Sequence, residues 1–470
     1  MKRGIIVLVA LWLTFGLAWP QNNKDIVGTW NGKLEVRGIT MRVTFNITDT
    51  TGALTATMDS PDQGAYGIPM DSCLYRNDTV RITSAALYGE YKGVLSDNLN
   101  ALEGTWTQGG MSLPLNLERG DKIVLLRPQE PKPPYPYREE EISYPNEKGK
   151  TVLAGTFTRP KEGGPFTATL LITGSGAQDR DESIFGHKPF AVLADYLTRQ
   201  GIAVLRIDDR GVGGSTGDLI SATTEDFAGD AAAGIDYLKS REDVDKGKIG
   251  LIGHSEGGII APMLAAQRED VAFIVLLAGT GVPGDEILAQ QAADVMAADN
   301  NTEEELKAFL QLQKNLMNIA KKDIDTDSAM AEIKRMFIEW KAALPEEVLA
   351  KVDSTDQSQW EQSFNKALIP WTRYFMRYDP RPALQKVKCP VLALNGEKDI
   401  QVRADINLPA IETALKTGGH TQYRVGKLPN LNHLFQTCQT GTVSEYGNIE
   451  ETFSPEALKI IADWILTTTR

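Results

Sequence analysis

The chain has 470 residues, 42% of them hydrophobic and 24% charged, with a formal net charge of −13 at pH 7. That is the composition of a globular protein with material for about two or three domains. The acidic balance argues against a nucleic-acid binder and against adhesion to anionic membrane surfaces.

Met1-Lys2-Arg3 precedes an uncharged run from Gly4 to Leu17, and Gly16 and Ala18 put small residues ahead of a cleavage point. This pattern predicts a signal peptide over 1–18, too short an apolar run for a comfortable membrane-spanning helix. The first cysteine is Cys73, so no lipid-bearing cysteine sits at the cut. The mature protein is expected to be exported, periplasmic or secreted, without a stable membrane anchor. Cys73, Cys389 and Cys438 are too few and odd in number for a disulfide framework and read as structural thiols.

From about 25 to 126, period-two segments such as Lys33-Leu34-Glu35-Val36-Arg37 and Met41-Arg42-Val43-Thr44-Phe45-Asn46-Ile47 alternate with turn residues. Many short strands at that spacing predict a small all-β sandwich or barrel. Gly28-Thr29-Trp30 and Gly104-Thr105-Trp106 look like its closing strand pair. No catalytic constellation is visible there, and an accessory role follows. Five prolines between Arg127 and Arg138 predict an extended, semi-rigid linker over 127–138.

From 139 to 470 strands and helices alternate. A hairpin is expected from Ile142-Ser143-Tyr144 and Thr151–Phe157, then buried strands at Ala168–Ile172, Ile202–Ile207, Lys248–Ile252, Ala272–Leu277, Val391–Leu394 and Tyr423–Val425. Helical spacing occupies Phe190–Arg199, Asp226–Leu238 and, capped by Ser454, Pro455–Leu466. The class is α/β: a doubly wound, mostly parallel sheet with helices on both faces. Between the fourth and fifth parallel strands, about 285–378 is rich in Ala, Glu, Gln, Lys and Met without a strand signal. It predicts a helical cap over the carboxyl ends of the strands, where it would shape a pocket and limit water.

Gly253-His254-Ser255-Glu256-Gly257 lies between the third strand and a helix. A Gly-x-Ser-x-Gly at a strand-to-helix turn is a nucleophile elbow: the serine is held in strained backbone, and side chains two residues to either side would collide. The N–H of Glu256 then faces the position of a developing oxyanion. An elbow serine needs a histidine base and an orienting acid, here in the order serine, acid, histidine. Of the four histidines, His254 is inside the elbow and too constrained, His187 precedes it, and His420 lies in a turn. His433, in the loop after the last strand, is the base by position. The loop Asn395-Gly396-Glu397-Lys398-Asp399 supplies the acid, Asp399 preferred and Glu397 second. The loop Thr173–Asp181, with Gly174 and Gly176, is expected to give the second oxyanion N–H from Ala177 or Gln178. Gly174-Ser175-Gly176 lacks the spacing of a dinucleotide fingerprint. The charges of Asp208-Asp209-Arg210 are expected to brace that loop through Arg180 and Asp181.

With these residues in hand, 139–470 resembles the α/β-hydrolase superfamily, most closely the branch holding bacterial carboxylesterases of the EstD kind and serine-aminopeptidase-like enzymes. The resemblance rests on Gly-Ser-Gly-x-Gln-Asp-Arg-Asp at 174–181, Leu-Arg-x-Asp-Asp-Arg-Gly-x-Gly at 205–213, the elbow, and Asn-His-Leu-Phe at 432–435. It implies a Ser255–Asp399–His433 triad acting on a carboxylic ester, without metal or organic cofactor. A small-molecule acyl ester of short or medium chain is the expected substrate. Rival expectations are a serine aminopeptidase-like peptidase, an acyl thioesterase, and a surface binding protein with a vestigial hydrolase.

Overall fold

The structure, a computed structural model, describes residues 23–36, 39–63, 65–123, 126–298, 302–354 and 357–470. The signal-peptide segment lies outside the described residues. The chain divides into two compact units, Met1–Val124 and Leu125–Arg470.

The first unit is one antiparallel sheet of ten strands: β1 (Gly28–Val36), β2 (Ile39–Thr50), β3 (Ala53–Ser60), β4 (Ala65–Pro69), β5 (Ser72–Arg76), β6 (Thr79–Ser84), β7 (Gly89–Leu95), β8 (Ala101–Gln108), β9 (Met111–Pro114) and β10 (Leu117–Arg119). Their order is β4-β3-β2-β1-β10-β8-β7-β6-β5, with β9 on β8. Between β4 and β5 the chain ties the two ends together: Met70 N–H donates to the Ala56 carbonyl of β3 and Asp71 N–H to the Thr83 carbonyl of β6. The sheet thus curls around one core holding Trp30, Phe45, Tyr91, Leu102 and Trp106. The expected pairing of the Gly28-Thr29-Trp30 and Gly104-Thr105-Trp106 strands is corrected. β10, three residues long, lies between them, pairing Trp30 with Arg119 and Leu117 with Leu102.

The second unit is built on β11 (Arg138–Asn146), β12 (Thr151–Arg159), β13 (Phe166–Ile172), β14 (Ala203–Ile207), β15 (Val244–His254), β16 (Phe273–Leu277), β17 (Val391–Gly396) and β18 (Tyr423–Leu428). Their order is β11-β12-β14-β13-β15-β16-β17-β18. β11, β12 and β14 pair antiparallel; the pairings from β14 through β13 to β18 are parallel. Alternation along each strand sends successive side chains to opposite faces, which makes two cores. Leu170, Leu251, Ile274 and Ala393 pack with the helices Thr224–Ser240, Gly257–Ala265 and Ala404–Thr417. Leu171, Ile252, Val275 and Leu392 pack with Pro189–Arg199 and Pro455–Thr468.

The proline-rich stretch is not a free spacer. Arg127, a rigid fork with five N–H donors, donates to the carbonyls of Phe185, Gly186, Gly447 and Ile449. The Gln129 side chain bonds Thr452 and Phe453. The stretch therefore belongs to the second unit. Composition predicts its extension, but the arginine and glutamine decide where it lies.

The insertion between β16 and β17 carries helices Gly284–Ala298, Glu303–Ala320, Thr326–Ala342, Glu346–Ser354, Gln357–Leu368 and Pro370–Arg377, and the short helix Arg381–Leu384 leads from it to β17. Two apolar clusters hold it, one around Ile319, Ile333 and Phe364 and one around Leu312, Trp340 and Val352. Arg373 fastens its last helix by donating to the carbonyls of Ala320, Lys322 and Ile324.

Candidate active site

Ser255 stands between β15 and the helix Gly257–Ala265 with φ of +51°, a left-handed conformation that costs a non-glycine residue energy. Its N–H donates to the Leu277 carbonyl of the neighbouring strand at 2.9 Å. The elbow glycines answer to space rather than to dihedral angle. A Cβ at Gly253 would lie 1.9 Å from the Gly257 carbonyl oxygen, and one at Gly257 would lie 2.2 Å from that of Ile172. Both neighbours are backbone, so no rotamer change relieves the clash. We expect Gly257→Ala to lower stability by about 3 kcal/mol or more, read as the shift in urea midpoint at unchanged m-value.

His433, in the loop after β18, is buried, and its Nδ1 lies 2.8 Å from Asp399 Oδ2. The other Asp399 oxygen, Oδ1, accepts the N–H groups of Gln401 at 2.8 Å and Val402 at 2.9 Å. The carboxylate is thereby oriented by its own loop, and its side chain is 0% exposed. Glu397 faces elsewhere, accepting the Asn430 N–H at 3.1 Å. The His433 ring lies 4.8 Å from the His254 ring, centroid to centroid, which sets it beside the residue that precedes Ser255. His187 is buried between the Thr452 hydroxyl and the Tyr446 carbonyl, and burial pushes it down to about 4. His420 contacts the Cys389 carbonyl. All three cysteines are free, and burial raises them to about 11, 12 and 11 for Cys73, Cys389 and Cys438.

The loop after β13 reaches the serine. A Cβ at Gly174 would sit 3.2 Å from Ser255 Cβ. Of the two donors expected from this loop, Gln178 is corrected: its N–H is taken by Asp209 Oδ2 at 3.1 Å and is not free for an oxyanion. Ala177 remains, together with Glu256 at the N-terminus of the following helix. Asp209 also accepts the Thr173 hydroxyl at 2.8 Å. Arg180 pairs with Asp208 at 2.7 Å and with Glu141, and Arg206 pairs with Asp181. Arg180 and Asp208 thus brace the two loops as expected, while Arg206 belongs to β14 and Arg210 pairs with Asp230 instead.

Two glutamates make contacts that have no local sequence signal. Glu182, at φ of +52°, accepts both the Gly174 N–H at 2.7 Å and a contact from His254 Nδ1 at 2.9 Å on the same oxygen. Glu256, buried beside the serine, accepts the Thr224 hydroxyl at 2.6 Å and the indole N–H of Trp371 at 2.8 Å. Trp371 belongs to the last helix of the insertion, so that segment touches the elbow itself. A narrow cavity lined by Ile172, Thr173, Gly174, Asp209, Glu256 and Ile260 opens there. Among the described residues no group of three or more His, Cys, Asp or Glu side chains is arranged to hold a metal ion.

Burial pushes Glu256 up to about 7 and Asp209 to about 8; the latter is also raised by the charges of Glu256 and Glu182. A carboxyl raised in the folded state adds stability below its ordinary value and loses it as pH rises toward the folded one. For Glu256 that window runs from 4.5 to about 7. At about 1.4 kcal/mol for each pH unit of that window, the wild type should lose roughly 3 kcal/mol relative to Glu256→Gln across it. Urea unfolding of both proteins at pH 5 and pH 8 measures the difference.

A serine on a strained strand-to-helix turn, an acid-backed imidazole and two loops converging on one sheet edge define an α/β-hydrolase. The chain belongs to the X-Pro dipeptidyl-peptidase (S15) family, whose model matches residues 122–413. It is 32% identical over 172 residues to the esterase EstD of Thermotoga maritima, 36% of this chain and 41% of that protein. It is 33% identical over 123 residues to an uncharacterized protein of Mycobacterium tuberculosis, 26% of this chain and 40% of that one. The chain thus spans about two fifths of the length of these relatives. The solved esterase Pf2001 of Pyrococcus furiosus aligns over 70% of this chain and 93% of its own, at 15% identity and a TM-score of 0.41.

Proposed function

We propose that this protein is an exported serine hydrolase that cleaves carboxylic esters through an acyl-enzyme. The observation that carries the reading is the buried Asp399–His433 pair, whose imidazole lies 4.8 Å from the ring of His254, the residue before a serine held at positive φ. Ser255 Oγ attacks the acyl carbonyl while His433 takes its proton. The N–H groups of Glu256 and Ala177 receive the oxyanion. His433 then protonates the leaving alcohol, and water, activated by the same imidazole, deacylates the serine. Asp399 holds the imidazole tautomer and stays ionised throughout. The N-terminal segment, Met1 to Ala18, would direct export.

Family membership favours a second reading, a peptidase with the same nucleophile. A panel of p-nitrophenyl esters, thioesters and aminoacyl-p-nitroanilides separates the two. We expect acetate or butyrate esters to give the highest kcat/KM; a preference for the anilides would make the protein a peptidase.

A further inference from the structure

Resting on the assignment of Ser255 and His433, we propose that His254 and Glu182 form a permanently charged positioning pair. The pair locks the elbow, the loop of the catalytic histidine and the oxyanion loop into one unit. His254 Nδ1 lies 2.9 Å from Glu182 Oε1, and its Nε2 lies 2.9 Å from the His433 carbonyl oxygen. A carboxylate and a carbonyl only accept, so both ring nitrogens must donate, which only the imidazolium does. The proton belongs on the ring rather than on Glu182, because imidazole is the stronger base. The Gly174 N–H on the same Glu182 oxygen, at 2.7 Å, further favours the carboxylate.

Both partners are buried, with side chains 8% and 4% exposed. Burial disfavours the charged histidine, and the Glu182 charge and hydrogen bond, together with the His433 carbonyl and the Asp399 charge, outweigh it; the result is an upward shift. The other titratable groups facing the pair are His433, Asp399 and Asp209. Glu182 keeps a left-handed backbone to make these contacts, strain of the kind found at sites that fix geometry. Each bond has a distinct target: the carbonyl of His433, the Gly174 N–H of the loop after β13, and the elbow residue before Ser255.

Glu182→Gln tests the pair. If the amide oxygen faces the ring and Gly174, a neutral His254 cannot donate to both acceptors. If the amide nitrogen faces them, Gly174 loses its acceptor. At full folding we expect kcat on p-nitrophenyl butyrate to fall about 10²-fold, the loss produced by small misplacement, with KM changed less than about twofold. We also expect Glu182→Asp, which keeps the charge, to recover part of kcat. Unchanged kcat and an unchanged pH profile in Glu182→Gln, with Ser255 still labelled by fluorophosphonate in the wild type, would overturn the pair. Absence of wild-type labelling at Ser255 would overturn the reading beneath it as well. Should the variant not fold, ¹⁵N-histidine NMR of the wild type decides, because only four histidines contribute. One ring doubly protonated at pH 8 supports the pair; four neutral rings refute it.

Discussion

Ser255→Ala is expected to abolish ester hydrolysis, with kcat reduced by at least about 10⁴-fold, and to leave the fold intact. The size of the expected loss follows from its proposed role as the nucleophile. Without Oγ no acyl-enzyme forms, and only the oxyanion donors and binding remain to help water attack directly. Folding is expected to survive because, among the described residues, no hydrogen bond that positions the elbow uses the hydroxyl. The Ser255 N–H to the Leu277 carbonyl and the Gly258 N–H to the Ser255 carbonyl are both backbone. Alanine also tolerates the left-handed φ of +51° no worse than serine does. The measurement is kcat on p-nitrophenyl butyrate together with a melting curve. Loss of activity accompanied by a collapsed melting temperature would not count in favour of the assignment.

Asp399→Asn is expected to cost about 10⁴-fold in kcat with little change in stability. The geometry specifies why the amide fails. Gln401 and Val402 N–H groups both point at Oδ1, so an asparagine must put its carbonyl oxygen there. Its NH₂ then faces His433 Nδ1, where the carboxylate oxygen had been. An NH₂ donor requires Nδ1 to accept, which moves the ring proton to Nε2. That tautomer cannot take a proton from Ser255. Glu397→Gln, by contrast, should leave kcat within about twofold, since Glu397 bonds Asn430 rather than a ring nitrogen. Comparing the two variants on one substrate checks the choice of acid.

The parts of this site that can be read from the sequence are those whose physical requirement is local. Gly253 and Gly257 are dictated by backbone oxygens that the elbow itself brings close or that belong to the adjoining strand. Asp399 and His433 can be placed because a single loop after each strand offers few candidates. What escapes depends on contacts distant in the chain. Gln178 is a reasonable donor until Asp209, 31 residues away, takes its N–H. His254 is unusable as a base, which follows from its place in the elbow. Its partner Glu182 lies 72 residues upstream, with no motif to announce the pairing. Within Asp179-Arg180-Asp181-Glu182 the pairing of Arg180 with Asp208 is legible, whereas Asp181 pairs with Arg206 of β14 rather than with the loop, whose Arg210 turns to Asp230. The adjacent glutamate carries no such signal. In the first unit, β10 is too short to show a period of two, so the strand that separates β1 from β8 leaves no trace in the pattern. The Trp371–Glu256 contact has the same origin: 115 residues of chain separate its members.

The most direct test of the central claim is covalent. The purified protein is treated with a fluorophosphonate, and intact mass, peptide mapping and residual esterase activity are followed together. We predict one adduct per chain, on Ser255, appearing in step with loss of activity and absent from Ser255→Ala. Labelling at another residue, or full ester hydrolysis by a protein modified at Ser255, would contradict the account.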